Sequence, residues 1–139
     1  MKLGRMGIVT GFVLAVTLGL FVYPATTLAF EIEIDVAPNV LNIQSESVVV
    51  TVHTDISYSA VAGSSVFLNG VAINHWKSDA RGNFVAKFLS DEIKTLDGLI
   101  IGDYNTLVLT GYTTDDDVSE AFKGEQDIMV IDVVPQGKN

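Results

Sequence analysis

The sequence contains no cysteine, which excludes several classes of protein at once. A chain without thiols has no disulfide framework, no thiol chemistry, no cysteine zinc site and no lipid-modified cysteine. Basic residues are also scarce, because eight Lys and Arg stand against 17 Asp and Glu and give a net charge of −9 over 139 residues. Nucleic acids and anionic lipid headgroups are bound through clustered cationic side chains, so neither is expected as a partner.

Long apolar runs are absent except for one at the N-terminus. Lys2 and Arg5 form a short positive region, no residue of 6–23 is charged, and Pro24 ends the run. A positive region followed by an apolar stretch predicts a secretory signal peptide. The run is also near the lower length limit for spanning a bilayer, so an uncleaved membrane anchor is the alternative.

Small residues after the proline favour cleavage over anchoring. Thr27 and Ala29 occupy the −3 and −1 positions of a cleavage site before Phe30. We therefore predict a signal peptide over 1–29 and a protein that is secreted, periplasmic or on the cell surface, with no membrane contact after cleavage. Cleavage removes two basic residues and no acidic one, so the formal charge becomes −11. Copies with that charge repel one another, which predicts a monomer in isolation.

The mature chain alternates apolar and polar residues at the period of β-strands. In residues 30–36 the apolar side chains fall on one face and three acidic side chains on the other. Asn69-Gly70 between two apolar triplets predicts a two-residue hairpin with a type I′ turn, since both residues tolerate positive φ. Further strands are expected at 48–53, 84–89, 104–110 and 127–134, with an acidic connection over 113–123.

About seven short strands and no long helix predict an all-β fold. Parallel sheets need crossover helices, so the pairing is expected to be antiparallel. The default architecture is a single β-sandwich over 30–134, followed by a flexible tail over 135–139. The alternation predicts a core formed by Ile32, Ile34, Val48, Val50, Val52, Phe67, Phe84, Phe88, Leu107, Leu109 and Val130.

Several short motifs stand in a characteristic order along the mature chain. They are IEIDVAP with NVLNI at 32–43, VFLNG at 66–70, RGNFVAKF at 81–88, LVLTG at 107–111 and FKG at 122–124. This order resembles the immunoglobulin-like β-sandwich modules of secreted bacterial and archaeal proteins, and it covers most of residues 31–131. The resemblance implies a non-catalytic module that occurs alone or appended to other extracellular domains.

The sequence departs from that family pattern in two places. The short insert after Pro38 is missing, and Gln126 stands where many members of the family place an Asp, with Asp127 one residue later. The second departure weakens any metal role that the resemblance would imply.

Motifs for catalysis are missing from the sequence. It has no Gly-x-Ser-x-Gly elbow and no glycine-rich phosphate loop. His53 and His75 are not at metal-ligand spacing, and we interpret His53 as a strand residue making one hydrogen bond. Trp76 is expected to cover the edge of the sandwich, with an exposed His75-Trp76 binding pair as the alternative. We predict that the protein is not an enzyme; a small secreted hydrolase is the least favoured hypothesis.

One cluster of residues has the chemistry of a binding site, and it is acidic. Asp115, Asp116, Asp117 and Glu120 offer carboxylate oxygens, which are the ligands that Ca²⁺ prefers. The EF-hand pattern fails, because its sixth position holds Glu120 where that loop requires Gly. A solvated loop held open by charge repulsion is the favoured interpretation, and weak calcium binding is the alternative.

The sequence as a whole predicts a non-catalytic structural or interaction module of the cell exterior. An extracellular protein or a surface glycan is the expected partner, and no cofactor is expected. The strand 30–36 should lie at a sheet edge, where its acidic face would suit a strand-adding partner that presents Lys or Arg. The alternative is a calcium- or carbohydrate-binding module that uses the acidic loop or Trp76.

Cleavage before Phe30 gives a direct test of the predicted signal peptide. N-terminal sequencing of secreted material is expected to begin at Phe30, because the small residues of the cleavage site precede it. A chain that starts at Met1 in the membrane fraction would contradict the prediction and make the protein an anchored one.

Overall fold

The computed structural model describes residues 28–114 and 118–136, which contain ten β-strands, one short α-helix and two 3₁₀ helices, at Tyr58–Ala60 and Gly63–Ser65. The first strands are β1 (Phe30–Glu31), β2 (Ile34–Ala37), β3 (Val40–Asn42) and β4 (Val49–Ser57). Short strands follow as β5 (Phe67–Leu68), β6 (Val71–Ala72) and β7 (His75–Ser78). The last elements are β8 (Asn83–Leu89), α1 (Ser90–Lys94), β9 (Asp103–Tyr112) and β10 (Ala121–Ile131).

The strands form two sheets that bury a common core, which confirms the predicted all-β sandwich. The six-stranded sheet has the order β1-β10-β9-β5-β6, with β3 also paired to β10, and the four-stranded sheet has the order β2-β4-β8-β7. Both sheets contribute apolar side chains to one cluster, so their inner faces lie against each other. Among the described residues no helix has the length and apolar character needed to cross a membrane.

A long hairpin of β9 and β10 is the backbone of the six-stranded sheet. Its two strands pair antiparallel from Asp103 opposite Val130 to Tyr112 opposite Ala121. Strand β10 begins at Ala121, earlier than the predicted start at 127, because Phe122 and Gly124 already face the interior. A Cβ on Gly124 would lie 2.7 Å from Ile34 Cγ2, so glycine allows the first segment of the chain to approach.

The predicted single strand over 30–36 is wrong, because that segment crosses between the sheets. Strand β1 pairs parallel with the start of β10, and the Ile32 N–H donates to the Lys123 carbonyl oxygen at 2.9 Å. The chain then joins the four-stranded sheet as β2, antiparallel to β4, and returns as β3, parallel to residues 129–131. The expectation of purely antiparallel pairing is therefore also wrong for β1 and β3, whose connections cross the sandwich without a helix.

The core agrees with the prediction apart from two positions. Val48 is 69% exposed because β4 starts one residue later, and Phe67 is 39% exposed because Leu68 takes the inward position of that strand. Ile34 is half-buried against the core. The buried cluster consists of Ile32, Val36, Leu41, Val50, Val52, Val61, Val66, Leu68, Phe84, Ala86, Phe88, Ile93, Leu107, Leu109, Phe122, Ile128 and Val130.

The predicted Asn69-Gly70 hairpin is confirmed. Strands β5 and β6 pair on either side of it, and the φ angles of Asn69 and Gly70 are 48° and 85°, both positive as a type I′ turn requires. The Asn69 side chain also accepts the Val108 N–H at 2.6 Å and donates to the Thr106 carbonyl at 3.2 Å. These bonds extend the pairing of the hairpin with β9.

Two phenylalanines give a matched test of this core. Phe88→Ala is expected to lower the free energy of unfolding by about 3–5 kcal/mol, because Phe88 is fully buried and its loss leaves a cavity. Phe67→Ala removes the same group from a half-exposed position and is expected to cost about 1 kcal/mol. Chemical denaturation measures both; equal losses would contradict the register in which β8 turns Phe88 toward the core.

Candidate functional site

The predicted calcium loop lies mostly outside the described residues. Asp115, Asp116 and Asp117 belong to the part that is not described, so calcium binding there stays a prediction. Glu120 is exposed, and its main chain closes the loop between β9 and β10: its N–H donates to Thr113 Oγ1 and its carbonyl accepts the Thr113 N–H, both at 2.9 Å.

Trp76 covers the edge of the sandwich, as predicted. It lies on β7, is half-buried and packs against the core, and a face of its indole ring lies directly on Gly63. A Cβ at Gly63 would overlap the ring, so this contact requires glycine. His75 is exposed and lies opposite Lys87. The indole ring therefore makes its packing contacts within the protein itself.

An acidic depression lies on the outer face of the four-stranded sheet. In the sheet, His53 has Asp35 opposite it on one side and Val85 on the other. The depression has a volume of about 400 Å³ and is lined by Glu33, Ile34, Asp35, His53, Thr54, Asp55, Asp79 and Arg81. This cluster is not visible in the sequence, because its carboxylates come from three separate segments.

Backbone irregularity in β4 shapes one wall of the depression. The pairing of β4 with β8 shifts register between His53 and Ser57, while the Thr54 side chain keeps the inward position that alternation from Val50 and Val52 gives it. Its hydroxyl donates to the Phe84 carbonyl at 2.6 Å, so the buried polar group is satisfied. Within this stretch, the Glu33 N–H donates to Asp55 Oδ1 at 3.0 Å and the Asp55 N–H donates to the Glu33 carbonyl at 3.2 Å.

The opposite wall is the turn between β7 and β8, which Asp79 organises. Asp79 Oδ1 accepts the N–H groups of Arg81 at 2.8 Å and Asn83 at 2.9 Å. The hydrogen bond from Asn83 is the main cause that lowers the pKa of Asp79, and the nearby charges of Arg81 and His53 act in the same direction. The carboxylate of Asp79 thus has a structural role. In the described part of the chain, no group of three or more His, Cys, Asp or Glu is arranged to hold a metal ion.

A second surface, which we call the apolar strip, lies on the outer face of the six-stranded sheet. Its centre is a row of three side chains from three strands, in which Met129 of β10 has Val40 of β3 on one side and Tyr104 of β9 on the other. Tyr104 is 62% exposed and Val40 is 47% exposed, while Met129 is half-buried between them.

The strip continues past the end of the strands. Ile131 lies two residues beyond Met129 on the same face, beside Asn42. The Asn42 side-chain amide donates to the Val133 carbonyl at 2.8 Å, and its oxygen accepts the Val133 N–H at 3.1 Å. Val133 is exposed and is held next to Ile131 by this pair of bonds. We therefore define the apolar strip as Val40, Tyr104, Met129, Ile131 and Val133.

The turn at Asp79 gives a pH-dependent prediction. A folded-state pKa below the ordinary 3.8 means that ionised Asp79 stabilises the fold at neutral pH, and this contribution is lost as pH falls below that value. Asp79→Asn should therefore lower the melting temperature at pH 7, and the difference from wild type should shrink in acid. Asp97→Asn, which removes the same charge from an exposed turn, is the control. A difference that persists unchanged at about pH 3, where free Asp is protonated, would contradict the prediction.

Comparison with known proteins does not add a family to the fold described above. No family model matches the chain, and neither a search of curated proteins nor a search of solved structures finds a match. The immunoglobulin-like resemblance stays a prediction, and the two-sheet sandwich is what the structure establishes.

Proposed function

We propose that the protein is an exported, non-catalytic interaction module of the cell exterior. The observation that carries this proposal is the apolar strip. It is a group of exposed or half-buried apolar side chains on the outer face of the six-stranded sheet, whose inner face packs on the core. Contiguous apolar side chains on the outside of a soluble domain commonly form contact surfaces for other proteins. The N-terminal pattern over 1–29 supports the exported location.

The backbone under the strip belongs to paired strands. Tyr104 and Met129 are opposite each other in the long β9–β10 hairpin, and the neighbouring inward residues Ile128 and Val130 are almost completely buried. Strand pairing already orders the backbone under the strip. Binding of a partner would therefore cost little conformational entropy on this side of the interface. Tyrosine is also among the residues that contribute most to binding energy at interfaces.

The strip lies at the other end of β10 from the N-terminal strand β1. Strand β1 pairs with Phe122 and Lys123 near the start of β10, whereas the strip lies at Met129 and beyond. At about 3.3 Å per residue these points are about 20 Å apart along the strand. A partner that covers the strip would therefore leave the pairing of β1 with β10 intact.

Site-specific photo-crosslinking in cells that naturally produce the protein tests the proposal. A photoreactive phenylalanine replaces Tyr104 in one variant and Tyr112 in the control, which is on the same strand and face and is 52% exposed. The Tyr104 variant should give a discrete adduct in the extracytoplasmic fraction, and the Tyr112 variant should not.

Two results would contradict the proposed function. One is a protein that remains in the cytoplasm after fractionation. The other is an exported protein whose Tyr104 and Tyr112 variants give the same adducts, because contact would then not be specific to the strip.

A further inference from the structure

The four-stranded sheet has an open edge at β7. Just after this strand the Asp79 N–H donates to the Asn83 carbonyl at 2.9 Å, so the main chain of Asp79 faces β8. Main-chain groups along an antiparallel strand face alternate sides, and that of Lys77 therefore also faces β8. The main chains of Trp76 and Ser78 face away from the sheet.

The outward main-chain groups of β7 are available for pairing. Within the described residues, no hydrogen bond joins the main chain of Trp76 or Ser78 to a segment on the side away from β8. The other edge of the sheet differs, because Gln126 Oε1 accepts the outward N–H of Val36 there at 2.8 Å. Free N–H and C=O groups on an edge strand can pair with a further strand. Strand β7 is therefore the edge of this sheet at which a strand can be added.

Two lysines stand beside the open edge, on the outer face of the sheet. Lys87 of β8 lies opposite His75, which is two residues from Lys77 on β7, so the two lysines are diagonal neighbours. Trp76 and Ala86, which lie between them in the pairing, pack on the core and so turn the lysines outward.

These lysines make the edge locally cationic. Neither is in an ion pair within the described residues, where both ion pairs belong to Lys123. The row that contains Lys77 crosses the sheet to Asp35, which is three strands away, about 14 Å at the usual strand spacing. The carboxylate of Asp79 is nearer in sequence, and it accepts two N–H groups of its own turn. At physiological salt, exposed charges more than about 8 Å apart are largely screened, so the lysines dominate the potential at this edge.

From the open edge and its lysines we infer that β7 accepts an extended acidic segment of another protein as an additional strand. The inference goes beyond the proposed function, because this edge belongs to the other sheet from the apolar strip. Side chains alternate across a strand, so the added strand would place Asp or Glu beside Lys77 and an apolar residue beside Trp76. Trp76 is half-buried, and the apolar residue would cover the part of the indole that the core leaves exposed. Main-chain bonds would supply affinity, and the lysines would select acidic strands.

A second copy of the chain is a less suitable occupant of this edge. Lysine on an edge strand is a common device against the pairing of identical copies. Strand β7 of a second copy carries the same cations and would add positive charge beside the edge. An acidic strand is the occupant that these charges favour.

Four synthetic peptides of about seven residues serve as probes. One alternates Val and Glu, and one alternates Val and Ser. The other two are the Val/Glu peptide N-methylated at every Val or at every Glu. Fluorescence anisotropy with the purified exported protein at about 150 mM NaCl should show binding of the Val/Glu peptide and much weaker binding of the Val/Ser peptide. One methylated peptide should lose binding and the other should retain it, because alternate N–H groups of an added strand face β7.

Matched variants locate the binding site. Ser78→Pro removes an outward N–H and leaves the hydrogen bonds to β8 in place, so it should weaken the Val/Glu complex about tenfold. Lys77→Gln should weaken it about threefold, whereas Lys123→Gln on the other sheet, with the same change in net charge, should have little effect. Circular dichroism confirms that each variant is folded, and amide chemical shifts of the wild type should change mainly at residues 75–78.

Several results would overturn the inference. Equal binding of the Val/Ser and Val/Glu peptides would mean that the lysines do not select the partner. Equal behaviour of the two methylated peptides would mean that no strand is added, and this comparison decides the question even if Ser78→Pro does not fold. Equal losses for Lys77→Gln and Lys123→Gln would place the peptide elsewhere. A dimer in light scattering that Ser78→Pro dissociates would assign the edge to a second copy.

Discussion

Pairing along the last strand is the constraint on which the rest of the structure depends. Strand β10 accepts β9 along its whole length on one side, and on the other side it accepts β1 near its start and β3 at its end. Between those two short segments the chain crosses to the four-stranded sheet as β2, and Gln126 Oε1 accepts the Val36 N–H at 2.8 Å. One strand thus fixes both ends of the first segment and ties the two sheets together.

The same strand forms the centre of the apolar strip and touches one strand of the acidic depression. Its pairing with β3 and β9 places Val40 and Tyr104 beside Met129, which gives the apolar strip its centre. Asp35 is placed beside His53 by the pairing of β2 with β4, and β10 contributes the Gln126 hydrogen bond to the next residue of β2, Val36. The depression is built from structural interactions such as the Asp79 turn, whereas the exposed side chains of the strip have no comparable role in the fold. We therefore propose the strip, and not the depression, as the interaction surface.

Local signals in the sequence were sufficient for some of these features. The Asn69-Gly70 turn was predictable because it depends on two adjacent residues, and the inward positions of β8 follow from simple alternation. The crossing within 30–36 was not predictable, since both halves share one alternating pattern. The residue of the sequence that reflects this crossing is Gly124, because the absence of a side chain there lets Ile34 pack close to β10. The strip was missed because Val40 and Met129 meet through parallel pairing of distant segments.

The partnership of the first and last strands also has a consequence for how the chain reaches its folded state. The bond between Val36 and Gln126 joins residues 90 positions apart, and β1 and β3 have no partner in their sheet until β10 has been synthesised. Contacts between distant residues close slowly, because a large loop must be ordered first. The β4-β8-β7 part of the four-stranded sheet can pair without β10, whereas the six-stranded sheet and the closed sandwich have to wait for it.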